Sequence, residues 1–187
     1  MEEATDAELL ALFRKEDSRH YAFNRIVRKH QQRLYAFIRR MVTDPDETKD
    51  VLQEVFLKAW TGLDRFREDA QLYSWLYRIA HNESISHLKR MRRGLFVSDA
   101  KITDRLTTSL DSSEHFNGDA IQRKLQRAVM HLPPKQRAVF TMKYFEEMKY
   151  EDMSSITGTS VGALKSSFHI AVKKIEEELT RQDQTFR

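Results

Sequence analysis

The chain has 187 residues, a formal net charge of +4, no Cys, 5 Gly and 3 Pro. That length allows one or two small domains, the lack of Cys excludes disulfides and thiolate metal sites, and few turn formers beside 32% charged residues favour helices over sheets. The mild positive charge permits a nucleic-acid partner without establishing one; Met1–Asp6 holds no apolar signal core and no apolar run reaches membrane-spanning length, so no membrane insertion and a cytoplasmic location are expected.

The first predicted element is a short helix over Thr5–Lys15, with Leu9, Leu10, Leu12 and Phe13 on its apolar side. A polar break follows at Asp17-Ser18-Arg19. A long helix over Tyr21–Val42 repeats Phe23, Ile26, Val27, Leu34, Phe37, Ile38 and Met41 at helical spacing. Its other side carries Arg25, Arg28, Lys29, Arg33, Arg39 and Arg40, a charge run of the kind that usually marks a solvated face.

The Asp44–Leu63 stretch is the most informative. Asp44 is a capping residue, Pro45 fits the first helical position, Glu47 sits where a capping box places a carboxylate, and Gly62 lies near the far end. Val51, Leu52, Val55, Phe56, Ala59 and Leu63 form the core stripe. Opposite it stand Asp50, Gln53, Glu54 and Leu57, with Trp60 at the edge. This is either a solvated face with one stray Leu or a docking face for a basic protein, anchored by Leu57 and Trp60.

A fourth helix is expected over Leu72–Met91, with Leu72, Trp75, Leu76 and Ile79 inward and Tyr73 and Tyr77 on a different side. Glu83 falls on the inward line, so that line turns to solvent there or Glu83 has a partner. The run His87-Leu88-Lys89-Arg90-Met91-Arg92-Arg93 suits a helix C-terminus through the macrodipole, and equally suits phosphate contacts. Gly94–Gly118 is rich in Ser and Thr and reads as a linker, with at most a transient turn near Ile102–Leu106. The expected organisation is a tail or helix over 1–20, a helical domain over 21–93, the linker over 94–118 and a second helical domain over 119–187.

In the last part, Ile121, Leu125, Ala128 and Val129 mark one helix, and Leu132-Pro133-Pro134 ends it and starts the next, Lys135–Phe145. A short helix over Tyr150–Thr157, the turn Gly158-Thr159-Ser160 and a longer helix follow. Val161, Leu164, Phe168, Ala171, Val172, Ile175 and Leu179 face inward on the longer helix. This is the helix-turn-helix layout, and its outer face presents Gly162, Ala163, Ser166, His169, Ile170, Lys173 and Lys174. Small residues admit close backbone approach, and Ser, His and Lys reach bases and phosphates. An ordinary helical hairpin with a Lys-rich tail is the competing reading. No Gly-rich phosphate cradle, Gly-x-Ser-x-Gly or His-Glu-x-x-His occurs, so neither an enzyme nor a metal or other cofactor is expected.

Four stretches together resemble the RNA polymerase sigma factors of the extracytoplasmic-function (ECF) type, within the sigma-70 family. They are Asp44–Trp60 with its Asp50-Val51-Leu52-Gln53-Glu54-Val55-Phe56 core, Trp75–Asn82, Leu132–Arg137 and Tyr150–Ile175. The resemblance implies an all-α protein of two small helical domains, sigma-2 and sigma-4, the latter with the helix-turn-helix, joined by a flexible linker. It implies core RNA polymerase and double-stranded and melted promoter DNA as partners, and commonly an anti-sigma factor. It assigns Asp50, Gln53, Glu54, Leu57 and Trp60 to polymerase docking. Phe66, Tyr73, Tyr77, Arg78 and Asn82 fall to the melted −10 element, with a flipped-base pocket near Phe66–Leu72. Ser160, Lys165, Ser166, His169 and Lys173 fall to the −35 element. Ser167, Ile170 and Val172 stand where many relatives carry Arg, which implies fewer phosphate contacts. A stand-alone helix-turn-helix regulator is the alternative, but it leaves the Asp50–Leu57 face without a use, and a purely protein-binding helical adaptor leaves the C-terminal hairpin without one.

Overall fold

The computed structural model describes residues 4–66, 71–95, 99–111 and 120–185, and these are helical with no strand among them. The helices are α1 (Asp6–Phe13), α2 (Arg19–Val42), α3 (Pro45–Gly62), α4 (Leu72–Leu95), α5 (Asp99–Asp111), α6 (Ala120–Met130), α7 (Pro134–Phe140), α8 (Tyr150–Thr157) and α9 (Val161–Thr185). A π-helical turn, Thr141–Phe145, extends α7.

Local chemistry explains the boundaries. Thr5 and Glu8 cap α1 reciprocally: the Thr5 N–H donates to the Glu8 carboxylate at 2.8 Å and the Glu8 N–H to the Thr5 hydroxyl at 3.3 Å. The Asp44 carboxylate accepts the N–H groups of Asp46 and Glu47, both at 2.9 Å, and so caps α3. Glu47 has other work than a capping box. Its carboxylate meets Arg105 at 2.7 Å and His87 at 3.2 Å, tying α3 to α5 and α4. Where α3 passes α4, a Cβ on Gly62 would lie 2.9 Å from the Trp75 ring, so the small residue permits the close approach as well as the helix end.

α2 packs on α1, α3 and α4 around Ile26, Leu34, Phe37 and Ile38, each fully buried. The core stripe expected on α3 is in place: Val51, Val55, Ala59 and Leu63 are buried, and Leu52 and Phe56 half-buried. Glu83 does have a partner, since the Lys58 ammonium reaches its buried carboxylate at 2.6 Å.

Two expectations fail. The 94–118 stretch holds a regular helix, α5, in place of a transient turn. Ile102, Leu106 and Leu110 recur every fourth position and are buried, and the Thr43 hydroxyl donates to the Leu106 carbonyl at 2.9 Å. Burial of that stripe outweighs the weak helix preference of the Ser and Thr around it. The basic side of α2 is not a plain solvated face either. Lys29 pairs with Asp6 of α1 at 2.8 Å, Arg40 lies 3.7 Å from Glu146, and Arg39 is fully buried. Burial lowers the pKa of Arg39, against the pull of Tyr35 and Asp44.

The C-terminal helices lie against the N-terminal ones. α8 packs on α4, and α7 touches both α2 and α4. Buried Arg137 at the centre of this contact donates to Met130 and Met41 carbonyls, both at 2.8 Å, and to Leu132 at 3.3 Å. One guanidinium thus satisfies carbonyls at the ends of both α2 and α6, groups a helix leaves without intrahelical partners. Desolvation lowers its pKa to about 10, so it stays cationic at neutral pH.

Candidate functional site

Three helix faces carry the residues singled out from sequence. On α3, Asp50, Gln53, Glu54 and Leu57 are exposed together, with Leu57 at 54%. Trp60 differs from its neighbours. Its ring stacks on His20 at 4.9 Å and meets Phe23 and Phe13 edge-on at 5.0 and 5.4 Å, so it is half-buried packing as well as surface. Beside Leu57 lies a surface hollow of about 400 Å³, lined by Gln53, Phe56 and Trp60 and also by His20, Phe23 and Asn24 of α2. An acidic rim around an apolar floor is suited to a basic partner that inserts an apolar side chain.

The α4 face is covered in part, with Arg78 and Asn82 exposed and Tyr77 buried. Tyr77, expected as a base-stacking surface, is only 1% exposed. Its hydroxyl donates to the Glu146 carboxylate at 3.0 Å, and desolvation raises its pKa strongly. Tyr73 is half-buried, 4.5 Å from the Tyr77 ring and beneath the Arg33 guanidinium at 5.0 Å. Arg78 donates from Nε to the Ser155 carbonyl of α8 at 3.1 Å, while Asn82 is exposed. Phe66 is buried against Trp75 at 5.2 Å. It also lines a cleft of about 350 Å³ with Gln71, Leu72 and Tyr73, closed on one side by Asp6, Ala7 and Leu10 of α1. The expected flipped-base pocket spans Phe66–Leu72, of which 67–70 lie outside the described residues.

The third face is on α9. Gly158 ends α8 in the left-handed conformation at φ 68°, and the Ser160 hydroxyl accepts the Ala163 N–H at 3.3 Å to start α9. Val161, Leu164, Phe168, Ala171, Val172, Ile175 and Leu179 are buried or half-buried, as the inward stripe requires. Ser160, Lys165, Ser166, His169 and Lys173 are all exposed, and Ile170 beside them is 45% exposed. A Cβ on Gly162 would meet nothing, so the start of this face is open to close approach.

Family models for Sigma-70 region 2 and Sigma-70 region 4 match residues 26–94 and 122–175, the segments that hold these three faces. The RNA polymerase sigma-H factor of Pseudomonas aeruginosa is 32% identical over 184 residues, covering 93% of each chain. The chain belongs to the sigma-70 family. The ECF RNA polymerase sigma-E factor of Haemophilus influenzae is 29% identical, across 95% of this chain and 97% of its own. A solved structure, the sigma factor RpoE with the anti-sigma factor NepR from Bartonella quintana, superposes with a TM-score of 0.65 at 22% identity, over 84% of this chain and 96% of that one. This chain is an ECF-type sigma factor, a DNA-binding component of transcription initiation, and no described helix is long and apolar enough to cross a membrane.

Seen as a sigma factor, the chain holds residues that sequence reasoning passed over. His20 and Asn24 line the hollow beside Leu57 but sit in a helix whose apolar period gave them no distinction. Glu146 stands next to Glu147, an acidic pair of the kind that usually marks solvated surface, yet its side chain is 8% exposed, set against Arg33 and Arg40 of α2 and Tyr77 of α4. Only the long-range pairing reveals its place.

Proposed function

We propose that this sigma factor docks on core RNA polymerase through the outer face of α3, and directs it to promoters whose −10 element is melted on the α4 face and whose −35 element is read by α9. The observation that carries the reading is the α3 face itself: Asp50, Gln53, Glu54 and Leu57 stand exposed on the side opposite a fully formed core stripe. A DNA-only regulator has no use for an acidic, apolar-centred surface, because phosphates repel it. Half-buried Tyr73 supplies a ring face for an unstacked base, with the covered Tyr77 ring behind it, and the cleft beside Phe66 supports the capture of a flipped one. His169, Lys165 and Lys173 supply donors on a helix that leads with small residues. The relative from Bartonella quintana was solved with an anti-sigma factor, which supports such a partner here too.

The experiment pairs two variants. Asp50→Lys with Glu54→Lys abolishes co-elution with core polymerase while the far-UV helical signal is unchanged. His169→Ala with Lys173→Ala keeps polymerase binding and weakens run-off transcription from promoters that depend on a −35 element. Retained binding by the first variant overturns the docking face; normal transcription by the second overturns the reading residues.

A further inference from the structure

A cavity of about 380 Å³ opens where the end of α4, the middle of α5 and the turn from α6 to α7 meet. None of the residues assigned to polymerase or DNA lines it. Its apolar wall comes from Ile85 and Leu88 of α4 and Ile102 and Leu106 of α5, all buried. Its mouth is basic. Lys89 and Arg92, from the cationic run at the end of α4, line it with Lys135 of α7; all three are exposed, and no Asp or Glu among the described residues joins them. His131, also in the lining, is engaged by Glu178 of α9 at 3.8 Å. Arg137 lies in the same wall and is 3% exposed. Its two Nη atoms serve the carbonyls of Met41, Met130 and Leu132, while its Nε is buried without a hydrogen-bond partner. None of these partners is a carboxylate, and a buried cation without an anion is costly.

We propose that this cavity binds a small amphiphilic anion: one alkyl chain lies along the α4–α5 wall, and its carboxylate or phosphate head is drawn to Lys89, Lys135 and Arg137. Size, lining and sign choose the occupant together. Small-molecule sites run from about 300 to about 1,000 Å³, so the cavity holds one chain and its head. An apolar wall with a few charged groups at one side fixes the direction in which such a molecule lies. Cations without an acid among them reject a basic ligand and leave an uncharged one with nothing to gain at the mouth. The head also meets the buried guanidinium with the negative charge that its carbonyl partners lack. A bound molecule touches α4, α5 and α7 at once. It therefore pins α5, the helix between the two segments matched by the family models, against its neighbours.

The test titrates the full chain with decanoate and with decyl phosphate, each below the concentration at which it forms micelles. Calorimetry is expected to show saturable one-to-one binding, and Tm to rise with the logarithm of ligand concentration. The stronger of the two anions tells a carboxylate source from a phosphate source. 1-Decanol keeps the chain and lacks the charge, and binds weaker by about tenfold or more, the worth of a charge-assisted hydrogen bond. Inorganic phosphate lacks the chain and does not bind. Lys89→Glu with Lys135→Glu, both at exposed positions, keeps the far-UV helical signal and weakens both anions about tenfold while leaving 1-decanol unchanged. Ile102→Trp fills the cavity and weakens every chain-bearing probe. In nitrogen-15 spectra the Arg137 Nε–H resonance moves with decanoate and stays in place with 1-decanol. Equal affinity for decanoate and 1-decanol, an unmoved Arg137 resonance, or full anion affinity in the Lys89 and Lys135 double variant overturns the site. Binding that never saturates marks chains adsorbed on the surface and overturns it as well.

Discussion

The outer faces of α3 and α4 lie on neighbouring helices matched by one family model, yet the chain treats them in opposite ways. On α3 the acidic and apolar residues stand in solvent, held by a capped helix with a buried inner stripe. On α4 the Tyr77 ring is sealed under α8 and the Glu146 turn. A preformed surface binds without a reorganisation cost, whereas a covered one binds only after its cover has moved. The difference bears on the proposed roles: the α3 face proposed for polymerase stands open, and the Tyr77 ring proposed for melted DNA is covered.

The largest effect that bears on this comparison comes from Arg137. Its guanidinium serves three buried carbonyls, two from α6 and the residues after it and one from α2. Arg137→Met leaves those carbonyls without donors, and a buried unpaired polar group costs about 1–3 kcal/mol. A loss of about 3 kcal/mol in urea-measured stability is expected, together with loosening of the closed arrangement. A variant as stable as the parent shows that water replaces the guanidinium, and that the α4 cover is shallower than the geometry implies.

How much of this was legible depended on how local the cause was. The cap at Asp44, the α3 stripe, the Gly158 turn and the inward residues of α9 follow from neighbours within a few positions, and the structure holds them as expected. The partner required for Glu83 was legible as a need, though not as Lys58. The covering of Tyr77, the burial of Arg39 and the cations on Glu47 depend on residues dozens of positions away. No periodicity announces those. α5 lies between the two cases: the spacing of Ile102, Leu106 and Leu110 was present in the sequence, but Ser and Thr between them argued for coil until the α4 and α6 surfaces gave the stripe something to bury against.

Acid offers a gentler way to test the cover. His81 of α4 lies on the covered side, where burial lowers its pKa; its bond to Asn82 opposes the shift, and Lys135 of α7 adds to it. A folded value below the ordinary 6.5 means that the stabilisation is fully present above 6.5 and is lost as pH falls through the lowered value. The closed fraction, read from the distance between spin labels on α3 and α9, is therefore expected to stay level above about pH 6.5 and to fall as the pH drops below it. His81→Gln flattens that part of the profile. An unchanged slope in His81→Gln assigns the acid response to other groups.

Leu57 gives the smallest effect on the fold and isolates the open face. At 54% exposure it contributes little to the core, so Leu57→Asp is expected to change unfolding free energy by no more than about 0.5 kcal/mol. Affinity for core polymerase should nevertheless fall about tenfold or more, because an apolar residue at the centre of a docking surface contributes upward of ~1.4 kcal/mol and a buried carboxylate opposes binding. Trp60 cannot separate the two effects, since its contacts with Phe13, Phe23 and His20 make it part of the scaffold. Calorimetry of Leu57→Asp beside its polymerase titration therefore decides whether the exposed face of α3 serves a partner alone. A change in stability without a change in affinity makes Leu57 a structural residue after all, and removes the contrast with α4.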